Sequence, residues 1–350
     1  MKLILHAGTH KTGTTSVQRA LSGNFFWLQE RGFLYPELTD GKSCHNQFAR
    51  RIATAAKGSV EASRDELMRA TDSRYVTILS AEQFSARILS HGRRHWHGFD
   101  QPDYWDRKQE FLARVRRVLR DFDEITFHIC FRPHDEYAAS LYTTNLTSHK
   151  IDWSFQEFLE RCAPIFDYKR QLESFRSAFD EVRVISFNDL RKDLSKNFFA
   201  WTGIPLPPGA DHHTKSAPDA RLIGWLYERM SADTSQAAKK ARRKFLKSKE
   251  AWGCLPAKAN ASFWQSSAQR AAFLAKCSDP SPAFFPAKDR DEPQGNALDQ
   301  ATLRKLDDLF PAWLESGTAS MMLRFFSSRL MSRLTASAKG AFGASMKRSK

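Results

Sequence analysis

A short segment near the amino terminus has the composition of an anion-binding loop. Gly8 and Gly13 bracket Lys11 in the stretch GTHKTGTTS. Glycines allow a loop to turn its backbone N–H groups toward one point, and a lysine adds a full positive charge beside them. Further hydroxyl donors come from Thr12, Thr14, Thr15 and Ser16. The segment therefore predicts a site for an anionic ligand that is held mostly by the main chain.

Two elements must position this loop. The apolar run Leu3-Ile4-Leu5 predicts a buried strand, and the apolar residues after Thr15 recur at helical spacing. A strand-to-helix connection directs the positive end of the helix dipole at the loop. The alternative is a plain turn with a Ser or Thr N-cap, but such a cap needs one hydroxyl and explains neither the glycines nor the lysine.

The loop departs from the nucleoside-triphosphate P-loop, GxxxxGK[ST]. Gly8 and Gly13 have the required separation, but Thr14 stands where that motif has its lysine. A lysine two residues before the second glycine, followed by Thr-Thr, instead resembles the 5′-phosphosulfate loop of the sulfotransferases that use 3′-phosphoadenosine 5′-phosphosulfate (PAPS). The resemblance implies that Lys11 is catalytic. It also implies a set of donor-binding residues in the loop, namely Gly8, Lys11, Thr12, Gly13, Thr14, Thr15 and Ser16.

A second segment, FRPHDEYAASLY, supports the same resemblance. Residues 125–131 have the β-branched and aromatic composition of a buried strand, so Arg132 stands at its carboxyl end. Pro133 is suited to open a helix that carries Ser140. Taken singly, Arg132 suits a surface ion pair and Ser140 a helix-face hydroxyl. Together, downstream of the first loop, they resemble the 3′-phosphate element of the same sulfotransferases.

The acceptor needs a general base, and Glu82 is the first candidate. It follows the predicted strand 75–79, at the position where the cytosolic sulfotransferases place a catalytic histidine, and the glycan-modifying branch commonly uses glutamate. His45 and Glu37 are alternatives, against which stand the simpler interpretations of an exposed loop histidine and a turn carboxylate. The resemblance also implies a late basic residue near the 3′-phosphate, for which Lys215 is the candidate.

Predicted strands and helices alternate along the chain, which is typical of α/β proteins with parallel sheets. The resemblance implies a P-loop-like three-layer fold with a central, mostly parallel sheet and helices on both faces. Ligands bind outside the carboxyl ends of such strands, where the loop, Glu82 and Arg132 all fall. We predict a PAPS-binding core over 1–205, a helical and loop-rich part of the same domain over 206–315 as a candidate acceptor-binding region, and a basic tail over 316–350.

Length, charge and cysteine content limit the classes of protein to which the chain can belong. The chain has 350 residues, 41% hydrophobic and 27% charged, which is typical of a soluble globular protein. A net charge of +15 indicates an anionic partner but does not choose among a nucleotide, an acidic glycan, a nucleic acid and a membrane. Five scattered cysteines argue against a disulfide framework or a zinc site, and we expect a cytoplasmic protein. For the tail, docking, disorder and peripheral contact with an anionic membrane stay open.

These observations predict a PAPS-dependent sulfotransferase that releases 3′,5′-adenosine bisphosphate and needs no metal. The expected acceptor bears a hydroxyl or an amine, with a glycan or glycoconjugate favoured, and no nucleic-acid partner is expected. Two alternatives stay open. A P-loop nucleotide kinase or NTPase would need Mg²⁺, and a non-catalytic anion or nucleic-acid binder would leave the loop unexplained.

Overall fold

The structure is a computed structural model that describes most of the chain. The described residues are 1–9, 11–38, 43–54, 58–89, 99, 101–148, 150–210, 218–229, 236–255, 261–281, 284–285, 293 and 297–315. Lys215 and the predicted tail over 316–350 lie outside the described residues.

The strands are β1 (Lys2–His6), β2 (Phe33–Leu34), β3 (Val76–Ser80), β4 (Glu124–Phe131) and β5 (Glu181–Ser186). The helices of the described parts are α1 (Thr14–Gly23), α2 (Phe25–Gln29), α3 (Asn46–Ile52), α4 (Ser59–Arg69), α5 (Gln83–Ala86), α6 (Tyr104–Val118), α7 (His134–Thr147), α8 (Phe155–Arg161), α9 (Tyr168–Ala178), α10 (Phe187–Leu190), α11 (Leu194–Thr202), α12 (Ala220–Glu228), α13 (Gln236–Phe245), α14 (Lys249–Gly253), α15 (Ser267–Leu274) and α16 (Gln300–Glu315).

The strands form one parallel sheet in the order β2-β3-β1-β4-β5. β1 lies at its centre, where Leu5 pairs with Leu79 of β3 and with Phe127 of β4. Helices flank the sheet, so the central strands are buried along nearly their whole length, including polar residues such as His6 and His128. The predicted α/β fold with a central parallel sheet is confirmed.

Side chains on opposite faces of the sheet pack into separate parts of the core. On one face, Ile78 belongs to a cluster with Val17 of α1 and Phe198 of α11. On the other face, the Phe127 ring stacks on Phe175 and Phe179 with centroids 4.7 Å from each. Because the alternating residues of each strand are anchored on both sides, the carboxyl ends of the strands have defined positions.

The chain divides into two compact units. The first contains Met1–Thr144, Trp153–Ala217 and Ser266–Glu292, and the second contains Asn145–Asp152, Pro218–Gln265 and Pro293–Lys350. The sheet and every described candidate site residue belong to the first unit. Ser266–Glu292 also belongs to it, where a parallel bridge joins Asp167 to Ser278, although the sequence analysis groups this segment with 206–315.

The second unit has an aromatic core of its own. The ring of Trp225 lies 5.4 Å from that of Phe245 and 5.6 Å from that of Phe310. Asp307 accepts hydrogen bonds from Trp225 Nε1 at 2.9 Å and from Arg229 Nη2 at 2.8 Å. Within the described residues of the whole chain, no helix combines the length and the apolar character needed to cross a membrane.

Candidate functional site

The loop between β1 and α1 contains two positive φ angles of the kind found in anion-binding nests. Lys11 and Gly13 both adopt left-handed conformations, with φ of 72° and 79°, and α1 begins at Thr14. Such turns gather N–H groups around one concavity, and the first N–H groups of a helix have no intrahelical acceptor. Gly13 is the N-cap and makes no side-chain cap bond, so the loop is not a hydroxyl-capped turn.

Close packing explains both glycines of the loop. A Cβ atom on Gly13 would lie 2.4 Å from Leu194 Cδ2, at a φ that disfavours any other residue. A Cβ atom on Gly8 would lie 2.9 Å from Thr12 Oγ1 and 3.1 Å from His6 Nε2. The loop is therefore pressed onto buried side chains, and its path depends on the absence of a side chain at either position.

Strand β4 anchors the loop from its buried side. The backbone N and the Oγ1 of Thr9 donate to the carbonyl of Cys130 at 3.1 and 2.9 Å. Thr12 Oγ1 in turn donates to the carbonyl of Thr9 at 2.6 Å, so the Thr12 hydroxyl shapes the loop from within. Among the described loop residues after Thr9, the side chains of Lys11, Thr15 and Ser16 stay exposed or half-buried.

Glu82 lies beside this loop, as the N-cap residue of α5 just after β3. Its Oε1 accepts a hydrogen bond from Thr14 Oγ1 in the first turn of α1. The structure thus brings together two predicted site residues that are far apart in the sequence. A hydroxyl that donates to a carboxylate cannot donate the same proton to a bound anion, so an anion that takes the Thr14 hydroxyl would break this one bond to Glu82.

His6 adds no charge beneath Glu82 near neutral pH. It is 3% exposed, and its Nδ1 lies 2.9 Å from Ser80 Oγ. Burial lowers the pKa of His6 to about 4, against the opposing effect of the Glu82 carboxylate. The imidazole is therefore neutral at pH 7, and the charges around the loop come from Glu82 and from basic side chains.

The alternative base candidates have different surroundings. His45 is buried, although the simpler interpretation was an exposed loop histidine. Its Nδ1 accepts from the backbone N of Ser80 at 3.0 Å, and its Nε2 lies 2.9 Å from the carbonyl of Pro36. A carbonyl can only accept, so Nε2 carries the proton and both ring nitrogens hold backbone groups. Glu37 has an exposed side chain.

Arg132 reaches the loop from the neighbouring strand. Its Nη1 donates to the carbonyl of Lys11 at 3.1 Å, and its Nε donates to Glu136 Oε2 at 3.3 Å. Burial lowers the pKa of Arg132, while Glu136 opposes that shift, and a guanidinium stays charged in proteins. The structure therefore brings Lys11 and Arg132, predicted from separate motifs, to one edge of the sheet.

Ser140 and Lys215 are the other two residues predicted to bind the 3′-phosphate, and the structure describes only Ser140. Ser140 lies on α7, about 9 Å along the helix axis from His134. It is half-buried, and its carbonyl accepts from Thr144 Oγ1 at 2.9 Å. Lys215 lies outside the described residues.

Arg191 is a neighbour of Arg132 that the sequence analysis does not single out. It follows α10 at the carboxyl end of β5, and Ser186 at the end of β5 pairs with Phe131 at the end of β4. Arg191 Nη1 donates to Glu136 Oε2 at 3.2 Å, the same oxygen that Arg132 contacts. The sequence feature that could have identified Arg191 is its position as a basic residue shortly after a predicted strand, at the edge where parallel sheets bind ligands.

A narrow apolar cavity adjoins the loop at Thr9. Its volume is about 30 Å³, which is the space of about one water molecule, so a larger group would require the lining rings to move. The lining is largely aromatic and includes Phe99, Tyr104, Phe131, Tyr137, Tyr168 and Phe175. The surroundings of the loop are thus charged on the side of Arg132 and apolar on the side of this cavity.

Comparison with solved structures finds a similarity in overall fold. The chain is similar to the crystal structure of a sulfotransferase from Alicyclobacillus acidocaldarius, with a TM-score of 0.38 and 17% sequence identity. The match covers 70% of this chain and 95% of that chain. No protein-family model and no curated protein matches the sequence.

Proposed function

We propose that the chain is a PAPS-dependent sulfotransferase. The observation that carries this proposal is the contact between two anion-binding segments, because Arg132 Nη1 donates to the carbonyl of Lys11 at 3.1 Å. The β1–α1 loop suits a 5′-phosphosulfate, and the guanidinium of Arg132, with Ser140 further along α7, suits a 3′-phosphate. PAPS carries these two anionic groups on one nucleotide.

The proposed reaction is an in-line transfer. The acceptor oxygen or nitrogen forms a bond to sulfur while the bond between sulfur and the bridging oxygen breaks, and the electron pair of the broken bond stays on the 5′-phosphate. The product 3′,5′-adenosine bisphosphate thereby gains negative charge. Lys11 and the N–H groups of the loop stabilise that charge, by analogy with phosphoryl transfer.

Glu82 accepts the proton of the acceptor in this scheme. In the structure its Oε1 holds the Thr14 hydroxyl, which marks Glu82 as adjacent to the anion loop. A bound phosphosulfate would attract the Thr14 proton, because its oxygens accept hydrogen bonds as well. Donor binding would then remove the Thr14 bond from the Glu82 carboxylate, so Thr14 would couple donor binding to the basicity of Glu82. His45, whose ring nitrogens hold Ser80 and Pro36, is the less favoured base.

The proposed acceptor class is a hydroxyl- or amine-bearing molecule, with a glycan or glycoconjugate favoured. The aromatic cavity beside Thr9 has the space of about one water molecule, so its walls as they stand do not select one acceptor class over another. An acceptor panel should therefore contain sugars as well as aromatic alcohols and amines.

Calorimetric titration tests the donor site. The protein is titrated with 3′,5′-adenosine bisphosphate and, separately, with ATP and Mg²⁺, and both titrations are repeated on Lys11→Ala and Arg132→Ala. Metal-independent binding of the bisphosphate that either substitution weakens would support the proposal. Binding of ATP with Mg²⁺ without binding of the bisphosphate would exclude it and favour a nucleotide kinase or NTPase.

A further inference from the structure

The edge beside the loop carries more positive charge than the two sequence motifs account for. Lys11, Arg132 and Arg191 are three cations, and the carboxylate that joins the two arginines is that of Glu136. These four side chains therefore have a combined charge of +2. Arg132 has a side-chain exposure of 21% and Arg191 of 41%, so both can contact a ligand that approaches from solvent.

Both guanidinium groups bind one oxygen of one carboxylate. Glu136 Oε2 lies 3.3 Å from Arg132 Nε and 3.2 Å from Arg191 Nη1. Glu136 is four residues after Arg132 on the start of α7, so Arg132 alone would balance the charge of this carboxylate. Arg191 adds a second positive charge close to the first, which costs electrostatic free energy in a protein without an anionic ligand.

The position of Arg191 is set by the sheet. β5 pairs with β4 through to Ser186 and Phe131, and the single turn of α10 follows directly. Arg191 ends that turn, and the ring of Phe187 in the same turn lies under the Arg132 guanidinium at 5.2 Å. Both arginines are thus held beside each other by short connections from neighbouring strands, and the pair is preorganised.

We propose that Arg191 and Arg132 form a two-arginine clamp for the phosphate monoester on the ribose of the donor, with Glu136 holding both guanidinium groups in place. A phosphate monoester carries nearly two negative charges at pH 7 and accepts hydrogen bonds in the planar, paired geometry that guanidinium groups offer. Arg132 and Arg191 retain N–H groups beyond those that bond to Glu136 and Lys11. This inference rests on the proposed function, and it identifies the residues by which the site selects a 3′-phosphorylated nucleotide.

Two nucleotides that differ only in the 3′-phosphate test the clamp. The affinities of 3′,5′-adenosine bisphosphate and of adenosine 5′-monophosphate are measured by calorimetry for the unsubstituted protein, Arg191→Ala and Arg191→Lys. Inorganic phosphate serves as a third ligand, which reports binding that needs no nucleoside. Arg183→Ala is the matched control, because Arg183 is also a half-exposed arginine paired with a carboxylate on β5.

We expect Arg191→Ala to weaken bisphosphate binding at least about tenfold and monophosphate binding less than about twofold, since one charge-assisted contact is lost in the first case alone. Arg191→Lys should fall between, and Arg183→Ala should leave both affinities unchanged. Equal effects of Arg191→Ala on the two nucleotides, or no effect, would overturn the clamp while leaving the donor site standing. Failure of the unsubstituted protein to bind the bisphosphate would overturn both the clamp and the proposed function.

Discussion

The β1–α1 junction and the β4–α7 junction follow adjacent strands at the same edge of the sheet, yet they present hydrogen-bond donors and positive charge in different ways. At the first, left-handed Lys11 and Gly13 expose main-chain donors, and buried bonds to Cys130 hold the loop in place. At the second, the chain enters a helix, and the guanidinium of Arg132 provides the charge.

This difference has a physical reason. Main-chain donors are fixed by the backbone and cost little conformational entropy on binding, which in the proposed reaction suits the group where charge develops. Side-chain donors reach further from the backbone and carry full charge, which in the proposed function suits a phosphate that is bound but does not react. We therefore expect changes at the first junction to affect turnover and folding, and changes at the second to affect donor affinity.

The largest expected effect is the loss of activity in Lys11→Ala. We expect its kcat to fall more than about 10³-fold, since both a charge and a transition-state contact are removed. Arg132→Ala should instead weaken donor affinity by about 10- to 100-fold with a smaller change in kcat. Transfer of a labelled sulfuryl group from PAPS to an acceptor panel, at several donor concentrations, separates the two. Equal losses of kcat would contradict the division between the junctions.

Glu82→Gln should have the next largest effect on turnover. We expect kcat to fall about 10²-fold while bisphosphate affinity stays nearly constant, because general-base catalysis contributes about 10²–10⁴-fold and an amide keeps the bond to the Thr14 hydroxyl. The same transfer assay and calorimetry measure both quantities. If Glu37→Gln lowers kcat and Glu82→Gln does not, Glu82 is not the base.

Gly13→Ala should destabilise the fold, whereas Arg132→Ala should not. The added Cβ would lie 2.4 Å from Leu194 Cδ2 and would require a strained positive φ, and these two costs together reach about 2–4 kcal/mol. Arg132 is partly exposed, so its removal should change the free energy of unfolding by less than about 1 kcal/mol. Urea unfolding of both variants measures this, and unchanged stability in Gly13→Ala would show that the loop can relax.

The smallest expected effect concerns the strands beneath the two junctions, where His6 of β1 pairs in register with His128 of β4. His6 bonds to Ser80, but neither ring nitrogen of His128 has a hydrogen-bond partner within the described residues. Burial lowers the pKa of His128 from 6.5 to about 3, so the unfolded chain binds more protons between these values. Stability from this residue is present above pH 6.5 and is lost as the pH falls toward 3.

His128→Phe should therefore reduce acid sensitivity. We expect the difference in free energy of unfolding between pH 7 and pH 4.5 to shrink by about 2–3 kcal/mol, since one histidine contributes at most about 1.4 kcal/mol per pH unit over the two units below pH 6.5. Urea unfolding at the two pH values gives the difference. An unchanged pH dependence would mean that His128 is protonated in the folded protein.

Local sequence patterns were enough to predict the parallel sheet and the main strands and helices that meet at its edge. The run Leu3-Ile4-Leu5 falls within β1, and the helical spacing after Thr15 matches α1. Such features depend on neighbours in the sequence, because alternation of strands and helices and a glycine-bearing loop are encoded within a few tens of residues. β2 was not predicted as a separate strand, since two paired residues are too few for a periodic pattern.

Contacts between distant residues were decided by the tertiary structure. The alignment of the strands decided that His45 accepts a hydrogen bond from the backbone N of Ser80. It also decided that Arg191 contacts Glu136, the residue that Arg132 contacts. The bond from Thr14 to Glu82 has the same origin, because β1 and β3 are neighbours in the sheet and not in the sequence. The sequence by itself thus determined the parallel sheet and the glycine-bearing loop after its central strand, and the kind of ligand that each loop suits stays a prediction. Strand order and register decided which side chains meet at that edge, since only the packed sheet brings the separate strand ends together.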